Sequence, residues 1–489
     1  MPDFDLIIRG GTVIDGSRAP RFDADVGILG GRIAALGDLS AATADQVLDA
    51  NGLIVAPGFI DCHTHDDQAL LSQPDMGFKV SQGVTTVIAG NCGISLSPLQ
   101  PDSPLPAPLN LLEAAERARF ATLGEYFGAL RRNPPALNMA TLVGHTTLRV
   151  RTMSELDRPA NAAEIESMRS LLAQAMDEGA LGLSTGTFYP PAMHASTEEI
   201  IAVGQAMTGR GGLYVTHMRD EGEQIIAALD ETFRIGRELD VPVLVSHHKL
   251  KNRANFGRSA QTLPHIRRAM QCQCVALDCY PYDAGSTMIH TDSGMLDGRV
   301  LIASSQPHPE CAGRDLSDIA AEWGISREDA ARRLQPGSAI YFLMDEADVQ
   351  AILAFDETMI GSDGIPVGEM PHPRLWGTFP RVLGHYSREL GLFPLETAVW
   401  KMTGLTARNF GLTDRGRIAV GAAADIVLFD AALVIDRADY AHPTRPAAGI
   451  HSVLVNGVPT WQASRHLGAR SGQVITRGPA GAGRTLQPA

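Results

Sequence analysis

The sequence predicts an α/β protein: a (β/α)8 TIM-type barrel with a small β-sandwich domain built from both termini and an inserted cap segment after the seventh barrel strand. Three observations carry this. Eight short apolar runs recur through the middle of the 489-residue chain, several of them followed by a stretch of helical periodicity. Short strands broken by glycine-containing turns occupy both ends. The gap between Asp278 and Met359 is longer than one strand–helix unit needs.

At the N-terminus, Leu6–Arg9, Val26–Leu29 and Arg32–Leu36 read as strands separated by Gly10-Gly11 and Gly30-Gly31, which lack the strand–helix setting of a dinucleotide fingerprint and serve as turns. The barrel runs are Leu53–Ile60, Thr85–Ala89, Met139–Val143, Leu181–Leu183, Leu213–Thr216, Val243–Ser246, Val275–Leu277 and Met359–Ile360. Helices are expected over Asn161–Glu178, with an Asn start and a Gly179 stop, and over Glu221–Leu239. The insertion is placed at 286–350, with helices Ser317–Trp323 and Arg327–Leu334, as a cap over the barrel mouth. Ile418, Ala424–Phe429 and Ser452–Gly457 return to strand texture. The expected division is therefore a β-domain from 1–55 and 415–480 around a barrel of 56–414, with Gly472–Ala489 as a loose tail.

Hydrophobic content of 44% and charged content of 20% fit a packed globular protein. A net charge of −14 without a lysine or arginine run argues against a nucleic-acid partner. The N-terminus has acidic residues and no apolar h-region, and no apolar stretch is long enough for a membrane span. Six irregularly spaced cysteines do not make a disulfide framework in a chain of this length, so a cytoplasmic location is expected.

The chemistry gathers at the C-terminal ends of the barrel strands, where such barrels carry their active sites. His63 and His65 follow the first strand at i, i+2 spacing, which aims both imidazoles at one point. Cys92 follows the second strand, His217 ends the fifth, His247 and His248 follow the sixth, and Asp363 follows the eighth. Each alone has a bland explanation: a small buried thiol, a core histidine, a turn aspartate. Together they make a divalent-metal site. Alternation lets only one of His247 and His248 face the barrel axis and does not say which. His145, at the end of the third strand, is equally suited to substrate contact or to the core. Cys272, Cys274 and Cys279 lack zinc-ribbon spacing and are read as packing residues.

The chain resembles the amidohydrolase superfamily and, within it, the D-aminoacylases. The likeness is carried by Leu6–Gly16, Pro57-Gly58-Phe59-Ile60-Asp61-Cys62-His63-Thr64-His65-Asp66, Gly90-Asn91-Cys92-Gly93, Ser246-His247-His248-Lys249, Gly361-Ser362-Asp363-Gly364 and Asp414–Ile418. Many superfamily members bridge two metals with a strand-four lysine; Leu181–Gly186 has none, whereas Cys92 matches the D-aminoacylase pattern. The resemblance implies that Cys92, His217 and His247 hold a tight Zn2+, with His247 at the matched position. His63, His65 and Asp363 then line a second, weaker position that shares Cys92. Asp363 is implied as the catalytic base and acid. Lys249, Arg374, Tyr189 and Tyr280 match positions that grip a substrate carboxylate. The implied reaction is hydrolysis of N-acyl-D-amino acids by a monomer or small homo-oligomer. Ser286–Ser293 contains no arginine and does contain Asp292, which favours neutral or hydrophobic side chains. The alternatives are an N-acyl-D-glutamate or -aspartate deacylase, another amidohydrolase acting on cyclic amides, and last a non-enzymatic scaffold.

Overall fold

The structure of the protein, a computed structural model, describes residues 2–100, 105–112 and 119–477. Its centre is a closed parallel barrel. The strands are Phe59–Asp61, Val84–Ala89, Asn138–Thr141, Gly182–Gly186, Leu213–His217, Val243–Val245, Val275–Cys279 and Thr358–Ile360. The third is broken at Leu142: Asn138–Thr141 pairs with the second strand, while Val143–Gly144 pairs with the fourth. Covered on both faces, the strands are buried along nearly their whole length, as the unalternating apolar runs required.

The barrel closes between the first and eighth strands. Thr64 bridges Gly364, Asp363 N donates to His63 O at 2.8 Å, and His65 N donates to Gly364 O at 3.3 Å. Beneath this seam lies the buried ammonium of Lys79, 2.6 Å from Asp61 Oδ2, 2.8 Å from Ser362 Oγ and 3.3 Å from Asp66 Oδ2. Ser362 and Asp61 flank the residues that bear the site, so this ion cluster fixes both lips of the seam.

The helix Ala162–Glu178 has the expected ends: Asn161 and Glu164 form a capping box, and Gly179 takes the left-handed conformation at φ 113°. The next expected helix starts late, at Ile225. Asp220 Oδ1 accepts from Gly222 N at 2.7 Å and Gln224 N at 3.0 Å, a local turn that competes with helix formation and leaves Glu221 outside it.

The segment after the seventh strand carries the two expected helices, Leu316–Trp323 and Arg327–Leu334. It also carries an antiparallel sheet in which Gly337–Tyr341 runs between Gly285–Met288 and Val300–Ser305. Ile302, Leu316, Ile319, Leu334 and Tyr341 give it a core of its own. The helix Glu346–Ala354 packs against the seventh and eighth strands and belongs to the barrel wall.

Strands from both ends form one nine-stranded sheet. Its outer strand, Arg32–Gly37, is drawn back against 421–424: Ile33 N donates to Ala422 O and Ala424 N to Gly31 O, both at 2.9 Å. Leu6, Val26, Ile33, Ile426 and Leu454 are enclosed within this fold-back. The sheet strand Ile54–Pro57 runs through Gly58 into the first barrel strand, so the two layers share one continuous backbone.

Residues 472–477 are not loose. Met139 N donates to Gln473 O at 2.9 Å and Ile475 N to Met139 O at 2.7 Å, which adds this stretch beside the third barrel strand. The rest of the expected tail, 478–489, lies outside the described residues. Among the described residues no helix is long and apolar enough to cross a membrane.

Candidate metal centre

The strand ends converge on the Cys92 thiol. His63 Nε2 lies 3.2 Å and His247 Nε2 3.3 Å from Cys92 Sγ. The His65 ring stacks edge-on to His63 at 5.7 Å and the His217 ring to His247 at 4.4 Å, which brings both to the same group. Asp363 Oδ1 completes the group, 3.2 Å from His65 Nε2 and 3.6 Å from His63 Nε2. All six side chains are buried. The ligand atoms of His63, Cys92, His247 and Asp363 lie within 4.8 Å of one another, and those of His217, Glu221 and His247 form a second such group. One thiol, four imidazoles and a carboxylate make a nitrogen, sulfur and oxygen donor set that suits zinc.

Three of these residues have left-handed backbones: Cys92 at φ 52°, His247 at 34° and Asp363 at 49°. Non-glycine residues in that region cost free energy and persist where the surroundings over-determine them. The surroundings are visible. A Cβ on Gly90 would meet Leu142 O at 2.2 Å, and one on Gly186 would meet Cys92 O at 2.2 Å, so the Cys92 turn is packed tightly against the third and fourth strands. The fourth strand, which has no lysine, offers Ser184 instead; its hydroxyl donates to Gly90 O at 2.5 Å and accepts from Gly93 N at 3.0 Å.

The sixth strand ends at Val245, so side-chain alternation does not decide between its two histidines. A turn does. His247 N donates to Asp278 Oδ1 at 2.9 Å and His248 N to Asp278 O at 2.7 Å, which sends the first imidazole to the metal site. His248 points away, with Nε2 2.9 Å from Thr262 Oγ1, and burial lowers it to about 4, keeping it neutral.

The electrostatics are those of a thiolate among imidazolium groups. Burial pushes the Cys92 thiol up, but His63, His247 and His217 outweigh it and hold it well below the ordinary thiol range. Burial pulls His63 down, yet Asp278 and Cys92 raise it well above the usual histidine value. For Asp363, burial is overcome by Arg374, His247 and His65, which hold it well below the usual carboxylate range.

All four expected substrate contacts line a cleft that opens over this group. Arg374, fully buried, has Nη1 2.8 Å from Asp363 Oδ2 and donates through Nη2 to Ser286 O at 3.0 Å. Its guanidinium lies over the Tyr280 ring at 4.6 Å, and the Lys249 ammonium lies over the same ring at 5.6 Å. The Tyr189 hydroxyl is 2.9 Å from Thr287 Oγ1. Ile94, Met295, Leu343, Met344 and Ile365 supply an apolar wall, three of them from the segment after the seventh strand. His145 is turned to Glu199, 3.3 Å away, and takes no part in the cleft. Cys279 is buried and donates to Tyr280 O, as a packing residue should, whereas Cys272 is exposed and does not pack as expected.

Two acids at the site were not singled out from sequence. Asp278 Oδ2 is 3.3 Å from His63 Nδ1, the ring nitrogen turned away from Cys92. Glu221 touches His217, His247, Lys249 and Lys251. The available signals were an aspartate ending the seventh strand and a glutamate four residues after a candidate ligand.

The family model described as Amidohydrolase family matches residues 46–273 and 303–461. A D-aminoacylase of Alcaligenes xylosoxydans xylosoxydans is 59% identical over 474 residues, covering 97% of this chain and 98% of that protein. A solved structure bearing on the binuclear metal centre of D-aminoacylase superposes with a TM-score of 0.95 at 59% identity, covering 97% of this chain and 100% of the other. The N-acyl-D-glutamate deacylase of Bordetella bronchiseptica, solved with zinc and a phosphonate mimic of the tetrahedral intermediate, gives a TM-score of 0.93 at 45% identity, covering 97% and 99%. The barrel, the cysteine after its second strand and full-length similarity agree: this chain belongs to the amidohydrolase family, on its D-aminoacylase branch.

Proposed function

We propose that the protein hydrolyses N-acyl-D-amino acids to a carboxylate and a free D-amino acid with bound zinc, favouring neutral or hydrophobic side chains. The observation that carries this is one cleft holding a thiolate–imidazole–carboxylate floor, a pair of cations over Tyr280, and an apolar wall. Cys92, His217 and His247 would hold the tighter zinc, and His63, His65 and Asp363 a second, weaker one beside Cys92. Zinc there supplies a Lewis acid that polarises the amide carbonyl and lets water lose a proton near neutral pH.

The protein's own groups do the rest. Lys249, Arg374 and the Tyr280 hydroxyl receive the α-carboxylate, and Tyr189 steadies the opposite side. Asp363 takes the proton of the attacking water and passes it to the departing nitrogen as the C–N bond breaks. Arg374 links these events. An incoming α-carboxylate competes with Asp363 for the guanidinium, and loosening that pair raises the affinity of Asp363 for a proton. Substrate binding thus prepares the base.

A panel of N-acetyl D- and L-amino acids, run on protein of measured zinc content, tests the reading. N-acetyl-D-leucine and -methionine are expected to turn over, their L-forms not, and N-acetyl-D-glutamate more slowly. Faster hydrolysis of the glutamate derivative would reverse the side-chain preference; the apolar wall argues against it. The partner is this small molecule, with the protein acting in the cytoplasm as a monomer or small homo-oligomer; the irregular spacing of the cysteines accords with a reducing compartment.

A pH dependence follows for zinc uptake. Burial opposes the charge on His65, but Asp363 and Cys92 outweigh it and raise the metal-free imidazole from 6.5 to about 9. A proton held at pH 7 must leave when zinc binds, so zinc affinity rises from pH 7 to about 9. The same raised value stabilises the metal-free fold fully below pH 6.5, a contribution lost as pH rises through about 9. Chelator competition and thermal unfolding across this range check both trends; an affinity that falls with pH would contradict them.

A further inference from the structure

We propose that Glu221 is a positioning residue that ties two of the metal's imidazoles to the lysine receiving the substrate carboxylate, so that zinc retention and carboxylate binding depend on one buried side chain. The proposal rests on the deacylase reading of the site and deepens it. Glu221 is 1% exposed, and its two oxygens divide the work. Oε1 lies 2.6 Å from Lys249 Nζ and 3.1 Å from His247 Nδ1. Oε2 lies 3.2 Å from Lys251 Nζ and 3.4 Å from His217 Nε2.

The His247 contact is the informative one. Its Nε2 faces Cys92, so Nδ1 is the nitrogen turned from the metal pocket. A carboxylate on the far nitrogen fixes ring orientation and raises ligand basicity. Lys249 Nζ is itself 2.6 Å from His247 Nδ1, so without the carboxylate a cation would face that imidazole directly. Lys251 supplies the counterweight: its ammonium lies 3.7 Å over the Phe188 ring and neutralises the carboxylate, leaving the charge of Lys249 available to substrate. The backbone is built to hold this point. Lys251 N donates to Glu221 O at 2.8 Å, Arg258 Nη1 donates to Gly222 O at 2.9 Å, and Asp220 caps the turn. A residue that merely began a helix would need none of these.

Glu221→Gln keeps size while deleting the charge and one of the two acceptor oxygens. Zinc-loaded parent and variant are challenged with a chelator, and the variant is expected to release zinc about 10–100-fold faster. Its KM for N-acetyl-D-leucine is expected to rise several-fold with a smaller change in kcat, because Lys249 loses its anchor. Glu221→Asp, which retains the charge but withdraws it by one methylene, should fall between the two. A folded E221Q that releases zinc at the parental rate, or whose KM is unchanged, overturns the proposal. Should E221Q fail to fold, E221D is judged by the same two readouts, and parental values overturn it. Zinc release needs no substrate, so a parent protein that deacylates nothing would remove the deacylase reading while leaving the metal result to stand or fall separately.

Discussion

Asp363→Asn lowers kcat for N-acetyl-D-leucine by roughly 10³-fold or more while the fold and the tighter zinc persist. A group that both takes and returns the proton carries a general-acid–base factor of about 10²–10⁴. Asparagine is the informative replacement. The φ of 49° at this position is a conformation that Asn tolerates, so the backbone need not move. The amide oxygen can still face His65 from the Oδ1 position, while the NH2 group takes the Oδ2 position and no longer accepts from Arg374, so the side-chain shape is conserved and the basic carboxylate is lost. The carboxylate's charge is also what holds Arg374 in the cleft before substrate arrives. KM is therefore expected to change far less than kcat, since the freed guanidinium still meets the α-carboxylate. Steady-state kinetics with zinc analysis of the same preparation decide the matter, and turnover within a few-fold of the parent removes Asp363 from the mechanism.

What could be read from sequence, and what could not, follows from where information is stored. Strand ends of a parallel barrel share one rim, so His63, Cys92, His217 and Asp363 could be grouped without knowing any distance. The choice of His247 over His248 could not come from alternation, because the strand stops at Val245 and a left-handed turn on Asp278 orients both rings. Glu221 was hidden by its neighbours: the apolar periodicity from Ile225 onward extends back over it, and only the Asp220 turn stops the helix short. The sheet after the seventh strand escaped for another reason. Gly285–Met288 and Gly337–Tyr341 are short and rich in glycine and serine, and they pair only with each other and with Val300–Ser305, so no single stretch announces a strand. Buried contacts such as Lys79–Ser362 and His63–Asp278 join residues far apart in the chain, which no local pattern encodes.

Cys92→Ser is expected to weaken zinc binding by more than about 100-fold, since loss of even an outer partner of a metal ligand costs about 10–100-fold. The cause is charge rather than size. Cys92 is held as a thiolate by His63, His247 and His217, whereas a serine hydroxyl in the same place stays protonated and leaves the imidazoles without an anion between them. Burial then lowers His63 and His65 with less opposition, so the metal-free variant binds fewer protons and zinc uptake releases fewer. Backbone strain is unchanged, because both residues would adopt the φ of 52° and the glycines at 90 and 186 still frame the turn. Cys92→Asp separates charge from sulfur. Aspartate tolerates the left-handed region and restores an anionic donor, so it should retain more zinc than the serine variant and less than the parent. Competition with a chromophoric chelator ranks the three. If serine binds zinc as tightly as cysteine, the thiolate is not a ligand, and the centre must be rebuilt around the four histidines and Asp363.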